Sequence, residues 1–204
     1  MSPPARLTLV RHGETSANVD GVWHGSIDTA LTDRGRVQAG RVAQHLTDLD
    51  PRPVALYCSS LQRARHTAEA IGNAVGLTPE IHPDIAEYDL GAWEGMTYRE
   101  LVATHKLFER MQKDPDFQPG GGESPRQVAT RIAAAFRSIS ATHGGESVVV
   151  VTHGGALTLG LGHLFNDVPG TWGRLMDNCA LTEITLTPSP ILHSFNETTH
   201  LDGV

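Results

Sequence analysis

Two stretches of this chain share one grammar: an aliphatic run that ends on a histidine and passes at once into glycine. They are Leu7-Thr8-Leu9-Val10-Arg11-His12-Gly13 and Val148-Val149-Val150-Val151-Thr152-His153-Gly154-Gly155. Short, almost wholly apolar runs of this kind are strands covered on both faces, as in a parallel sheet with helices above and below. In such sheets the carboxyl ends of the strands line the ligand crevice, so both imidazoles are expected at the same rim. The glycines let backbone and ligand approach closely, and a helix opening at Gly154 would aim free N–H groups at an anion. Either histidine alone reads as a satisfied polar residue at a strand end. Two in matching positions, one of them preceded by Arg11, point to a site.

The rest of the chain alternates β-type and helical spacing, which predicts an α/β domain with a mainly parallel sheet. Thr32 and Asp33 offer helix-start chemistry before a face marked by Val37, Val42, Ala43 and Leu46. A second strand is expected over 54–58, a helix over 61–74 stopped by Gly76, and an edge-like strand over 78–82. Residues 98–118 have irregular helical character and run into Pro119-Gly120-Gly121-Gly122. An insertion of this sort, about 96–122, is expected to cap a site. Ser124 or Pro125 starts another helix, Ser147 to Thr152 is the clearest strand, and residues 181–186 and 191–195 read as a terminal hairpin or two adjacent strands. The whole chain, 1–204, reads as one domain.

Acidic residues outnumber basic ones 23 to 16, a formal net charge of −7, which argues against nucleic acid as a partner. Two isolated cysteines, Cys58 and Cys179, make no disulfide framework and suit a reducing compartment. The longest aliphatic run, residues 148–151, is far too short to cross a membrane, and residues 1–13 lack a leader pattern. A soluble, cytoplasmic protein with no membrane partner is expected; the edge strands and C-terminal segment leave room for a homodimer.

A permanent charge is costly where a buried strand stops, so Arg11 and Arg63 are candidates to grip an anion, while Arg6 and Arg65 read as solvated. A carboxyl beside apolar and aromatic residues can keep its proton near neutral pH and act as a general acid. Glu87, Asp89 and Glu94 all sit in such a setting, and spacing does not choose among them. No histidine pair shows the helical spacing of a zinc signature such as His-Glu-x-x-His, so no metal is expected.

Arg11-His12-Gly13-Glu14-Thr15 resembles the signature of the histidine phosphatase superfamily, the phosphoglycerate mutase-like enzymes. The resemblance continues in order through Gly25, Asp28, Leu31, Thr32 and Gly35, then Ser59 to Ala64, Glu87 to Gly95, Gly121-Gly122-Glu123-Ser124, and Thr152-His153-Gly154-Gly155. It implies a three-layer α/β/α sandwich and an enzyme needing neither metal nor cofactor. Carried over by position, it implies that His12 is the phosphorylated nucleophile and Glu87 the proton donor. Arg11, Arg63 and a cationic His153 would form the phosphate pocket, with an amide donor from Asn18; Asp89 and Glu94 would then be structural.

The expected substrate is a small phosphomonoester. Hydrolysis is expected ahead of cofactor-dependent phosphoglycerate mutation, because the chain is short and Asp89, near the pocket mouth, would disfavour a second phosphate or carboxylate. A non-catalytic phospholigand-binding module would be marked by loss of His12, Arg63, Glu87 or His153, and all four are present. Trp23, His24 and Tyr98 are the candidate specificity contacts, with Phe108, Met111 and Phe117 in the cap. Lys106, Arg110 and Lys113 could meet an anionic group on the substrate.

Overall fold

Alternation along the two histidine-bearing strands builds the layers. In β1 (Arg6–Arg11) Leu7 and Leu9 point to one side of the sheet and Val10 to the other. In β4 (Ser147–Thr152), buried along its whole length, Val148 and Val150 join the first side and Val149 and Val151 the second. The structure is a computed structural model that describes residues 3–166 and 173–204.

Among the described residues six strands form one sheet in the order β3-β2-β4-β1-β5-β6. The strands β3 (Glu80–Ile81), β2 (Pro53–Cys58), β4 and β1 are parallel, with Val10 opposite Val151. β5 (Leu181–Thr185) and β6 (Ile191–Glu197) are antiparallel and close the other edge as the expected hairpin. The carboxyl ends of β1, β2 and β4 therefore share one rim.

One face is covered by α2 (Asp33–Leu46) and α3 (Gln62–Val75), which pack on each other and on the Val10 side of the sheet. Thr32 caps α2 by accepting from the Gly35 N–H, and α3 stops where Gly76 turns left-handed. The other face is covered by α6 (Pro125–Thr142) and α7 (Gly154–Leu164). Ser124 and Gln127 form a capping box that starts α6, and α7 is apolar nearly all round because it is buried. The two helices approach so closely that a side chain at Gly160 would overlap Ile132. This is the three-layer α/β/α arrangement.

One expectation needs correction. Val37 does not belong to the core face of α2; it is 51% exposed, and Ala39, Val42, Ala43 and Leu46 carry the contact. The irregular stretch after Tyr98 is two short helices, α4 (Tyr98–Ala103) and α5 (Leu107–Lys113). The break falls at Lys106, whose backbone is left-handed and cannot continue a helix. A further short helix, α1 (Ser16–Val19), follows the Arg-His-Gly stretch. No helix among the described residues is long and apolar enough to cross a membrane.

Candidate active site

The strand ends bring four of the predicted residues together. The His12 N–H bonds the Thr152 carbonyl and the Ser59 N–H the Val151 carbonyl, so the sheet continues one residue past each strand and fixes the side chains that follow. His12 and His153 stand with ring centres 5.1 Å apart, and His24 packs edge-on to His12 at 6.2 Å.

His12 is buried, and its Nδ1 lies 2.8 Å from the Gly13 carbonyl oxygen. A carbonyl can only accept, so Nδ1 carries the hydrogen and, in the neutral ring, Nε2 keeps its lone pair. Neutrality follows from the surroundings: burial, then the charges of Arg63 and Arg11, hold the pKa well below the ordinary histidine value. His153 is locked in the opposite tautomer. Its Nδ1 accepts from Arg63 Nε at 3.2 Å, and its Nε2 donates to Ser59 Oγ at 2.7 Å. The expectation of a cationic His153 is therefore wrong here. Burial and the neighbouring Arg63 push its pKa well down, and a nitrogen that accepts from a guanidinium carries no proton.

Arg63 is wholly buried, with no carboxylate pair among the described residues. Backbone carbonyls hold it instead, Nη1 donating to Ile27 and Nη2 to Gly25 at 2.9 and 2.7 Å. Arg11 donates from Nη1 to the Met176 carbonyl at 2.6 Å, while its buried Nε has no partner among the described residues. Arg11 is half-buried and lines the cavity at this rim, where its guanidinium can meet an anion.

Glu87 is held by three backbone N–H groups, from Tyr88 (2.8 Å) and Ala156 (2.7 Å) on Oε1 and from Gly155 (3.1 Å) on Oε2. The start of α7 thus meets the Glu87 carboxyl group, and the Gly155 and Ala156 N–H groups expected to be free for a ligand are occupied. A side chain at Gly155 would crowd the acid, because a Cβ would lie 2.7 Å from Glu87 Oε1 and 3.0 Å from the Trp23 ring. The competing acids are accounted for. Glu94 accepts from the Ser26 N–H and hydroxyl, and Asp89 accepts from the Gly91 N–H. Asp89 therefore ties the glycine loop and does not line the cavity, so the pocket-mouth argument drawn from it fails.

The cavity at this rim, about 290 Å³, is walled by Arg11, His12, Asn18, Trp23, His24, Glu87 and Tyr98, among others. Arg63 and His153 meet His12 but contribute no surface to it. Asn18 has a fixed orientation, since the Thr15 N–H needs an acceptor and finds Oδ1 at 3.1 Å; Nδ2 is left as the donor facing the cavity. His24 bonds the Thr29 hydroxyl at 2.7 Å, and burial, then Arg63, pushes its pKa down to about 3. Arg6 and Arg65 lie outside the site, as expected, the first 3.7 Å from Glu183. Cap cations do not reach it either: Arg110 lies over the Phe117 ring and Lys113 pairs with Glu109.

Sequence reasoning missed two participants. Asn178, just before β5, lines the cavity and donates to both the His12 carbonyl (2.9 Å) and Asn18 Oδ1 (3.2 Å). Arg131 on α6 makes a two-pronged pair with Glu123 and also donates to the carbonyls of Asp84, Ala86 and Glu87, pinning the segment that carries Glu87. No spacing marks either one. Cys58 and Cys179 are free and buried, and burial pushes their thiols up to about 11 and 12, which removes them as nucleophiles. Among the described residues no group of three or more His, Cys, Asp or Glu side chains is arranged to hold a metal ion.

Fold and site together define an α/β sandwich with a histidine-centred oxyanion pocket at the strand ends, the kind that handles phosphoryl groups. The chain belongs to the histidine phosphatase superfamily (branch 1), whose family model matches residues 7–198. It is similar to a metal-independent phosphoserine phosphatase of Arabidopsis thaliana, 35% identical over 210 residues, covering 100% of this chain and 86% of that one. A glucosyl-3-phosphoglycerate phosphatase of Mycobacterium tuberculosis is 31% identical over 191 residues, covering 88% and 85%. Among solved structures, phosphoserine phosphatase of Entamoeba histolytica with 3-phosphoglyceric acid aligns at a TM-score of 0.87 and 28% identity, over 97% of this chain and 99% of that one.

Proposed function

We propose that this enzyme hydrolyses a small phosphomonoester through a phosphohistidine on His12, with Glu87 as proton donor and then acceptor. The observation that carries the reading is the state of His12: buried, neutral, and held by the Gly13 carbonyl in the tautomer whose Nε2 lone pair is free. Nε2 attacks phosphorus, the bond to the alcohol oxygen breaks, and Glu87 passes its proton to that oxygen. Water then attacks the phosphohistidine, Glu87 takes the proton, and inorganic phosphate leaves with His12 restored. Arg11 and Asn18 donate to the phosphoryl oxygens from the cavity wall, and Arg63 adds positive potential from behind His12. His153 keeps Arg63 in place behind His12. The segment 96–122 acts as a cap on a single-domain enzyme.

Hydrolysis is favoured over mutation by the wall chemistry. A mutase substrate carries a second anionic group, and among the described residues Arg11 is the one Lys or Arg side chain that lines the cavity. The relatives named as phosphatases of phosphorylated serine and phosphoglycerate derivatives support the same class. Two free, buried cysteines suit a cytoplasmic setting. The test is a panel of phosphomonoesters, including 3-phosphoglycerate in a mutase assay, run with and without EDTA. Hydrolysis unaffected by the chelator is expected; mutase turnover exceeding hydrolysis, or activity abolished by EDTA, would overturn the reading.

A further inference from the structure

A second cavity of about 270 Å³ opens off the first and shares Trp23, Tyr98, Gly155 and Leu175 with it. Its walls are of a different kind. Trp23, Tyr88, Tyr98, Phe108, Met111 and Leu159 supply most of the surface, and no Asp, Glu, Lys, Arg or His side chain among the described residues lines it. Cap and core build it jointly: Phe108 and Met111 come from α5, Leu159 from α7, and Tyr98 opens α4. The aromatic rings brace one another, Trp23 against Tyr88 at 5.9 Å and against Tyr98 at 5.2 Å, and Tyr98 stacks on Phe108 at 6.2 Å.

We infer that this apolar lobe is the leaving-group subsite, and that the physiological substrate is the phosphomonoester of an uncharged, largely apolar alcohol, aromatic or aralkyl. The inference rests on the phosphatase reading and adds the substrate class. Continuity supplies the direction. With phosphorus between His12 and Arg11, the bond that breaks lies beside Glu87, and Gly155, which packs on Glu87, belongs to both cavities. The group beyond the breaking bond is therefore delivered into the lobe. Size fits, since roughly 150 Å³ of apolar cavity already accommodates a benzene ring. Charge argues against the alternative: a carboxylate or ammonium group on the leaving alcohol would be drawn from water there with no charged partner among the described residues. The lobe opens to solvent at Phe108 and Leu175, 39% and 57% exposed, so a longer alcohol could extend past the rim.

The experiment compares kcat/KM for four esters of primary alcohols: phenethyl phosphate, ethyl phosphate, phosphoserine and 3-phosphoglycerate. Phenethyl phosphate is expected to exceed ethyl phosphate by on the order of 50-fold, from burial of one phenyl ring, and to exceed both charged esters by more. Phe108→Arg and, separately, Gln112→Lys bring a charge to exposed positions of the lobe, and each is expected to lower the phenethyl-to-phosphoserine ratio by on the order of tenfold. An active enzyme that prefers phosphoserine or 3-phosphoglycerate, or a ratio that neither variant moves, would overturn this inference and leave the phosphatase reading standing. Hydrolysis of none of the four would overturn the phosphatase reading and this inference with it.

Discussion

Replacing Gly155 by alanine tests the placement of Glu87 with a single carbon. The new methyl would sit 2.7 Å from Glu87 Oε1 and 3.0 Å from Trp23 Cζ2, where ordinary contact begins near 3.4 Å. Trp23 is boxed by Tyr88 and Tyr98, so the carboxyl group is what gives way, by several tenths of an ångström. Stability should change little. Alanine gains about 1 kcal/mol over glycine within a helix, and weakening the bonds from the Gly155 and Ala156 N–H groups loses a similar amount, about 1 kcal/mol. Catalysis should change much more, because a misplacement approaching 1 Å costs on the order of 10- to 100-fold. The assay is kcat/KM, which reports phosphoryl transfer to His12 and not the later hydrolysis. Ethyl phosphate, whose alkoxide must be protonated as it leaves, should lose roughly 10- to 100-fold. By contrast para-nitrophenyl phosphate, with a leaving group that needs no acid, should lose no more than about threefold. Equal losses on the two esters, or none on ethyl phosphate in a folded variant, would refute the assignment of Glu87 as proton donor.

Two further outcomes are expected. Arg131→Met leaves the carbonyls of Asp84 and Ala86 without their donor and strips the Glu123 carboxylate of its guanidinium partner; a loss of about 2 kcal/mol in denaturant unfolding and roughly tenfold in kcat/KM should follow. An unchanged kcat/KM would remove Arg131 from the support of Glu87. His12, His24 and His153 all have folded pKa values below their ordinary 6.5, so the unfolded chain binds more protons as pH falls. The stability they contribute is present above 6.5 and is lost progressively below it, for His24 down to about 3. His24→Asn should therefore narrow the difference in unfolding free energy between neutral and mildly acid solution, and an identical pH dependence in both proteins would contradict the burial argument.

The strands, the capped helices and the matched histidines were legible because each is a local pattern. Alternation, a Thr32 or Ser124 cap and a Gly after a strand all act within a few residues. Choosing Glu87 over Asp89 and Glu94 was not, since the three lie in irregular backbone where no period says which way a side chain points. Only the start of α7, some seventy residues on, separates them. Asn178 was invisible for the same reason: it reaches His12 because β5 lies beside β1, and sheet order is a long-range property. The charge of His153 was misread because it depends on one contact, the N–H that Arg63 directs at Nδ1. Motif order carries no information about a tautomer. Likewise Asp89 stands one residue from Tyr88, yet its carboxylate turns to the Gly91 N–H and away from the cavity.

The central claim is that the buried, neutral His12 takes the phosphoryl group. Rapid acid-free quenching during turnover of a radiolabelled phosphomonoester, followed by peptide mapping, tests it most directly. The expected result is a label on His12 that is lost in acid, kept in base, and missing from His12→Ala, whose hydrolysis falls by at least about a thousandfold. A label on any other residue, or a His12→Ala enzyme that turns over at the wild-type rate, would contradict it.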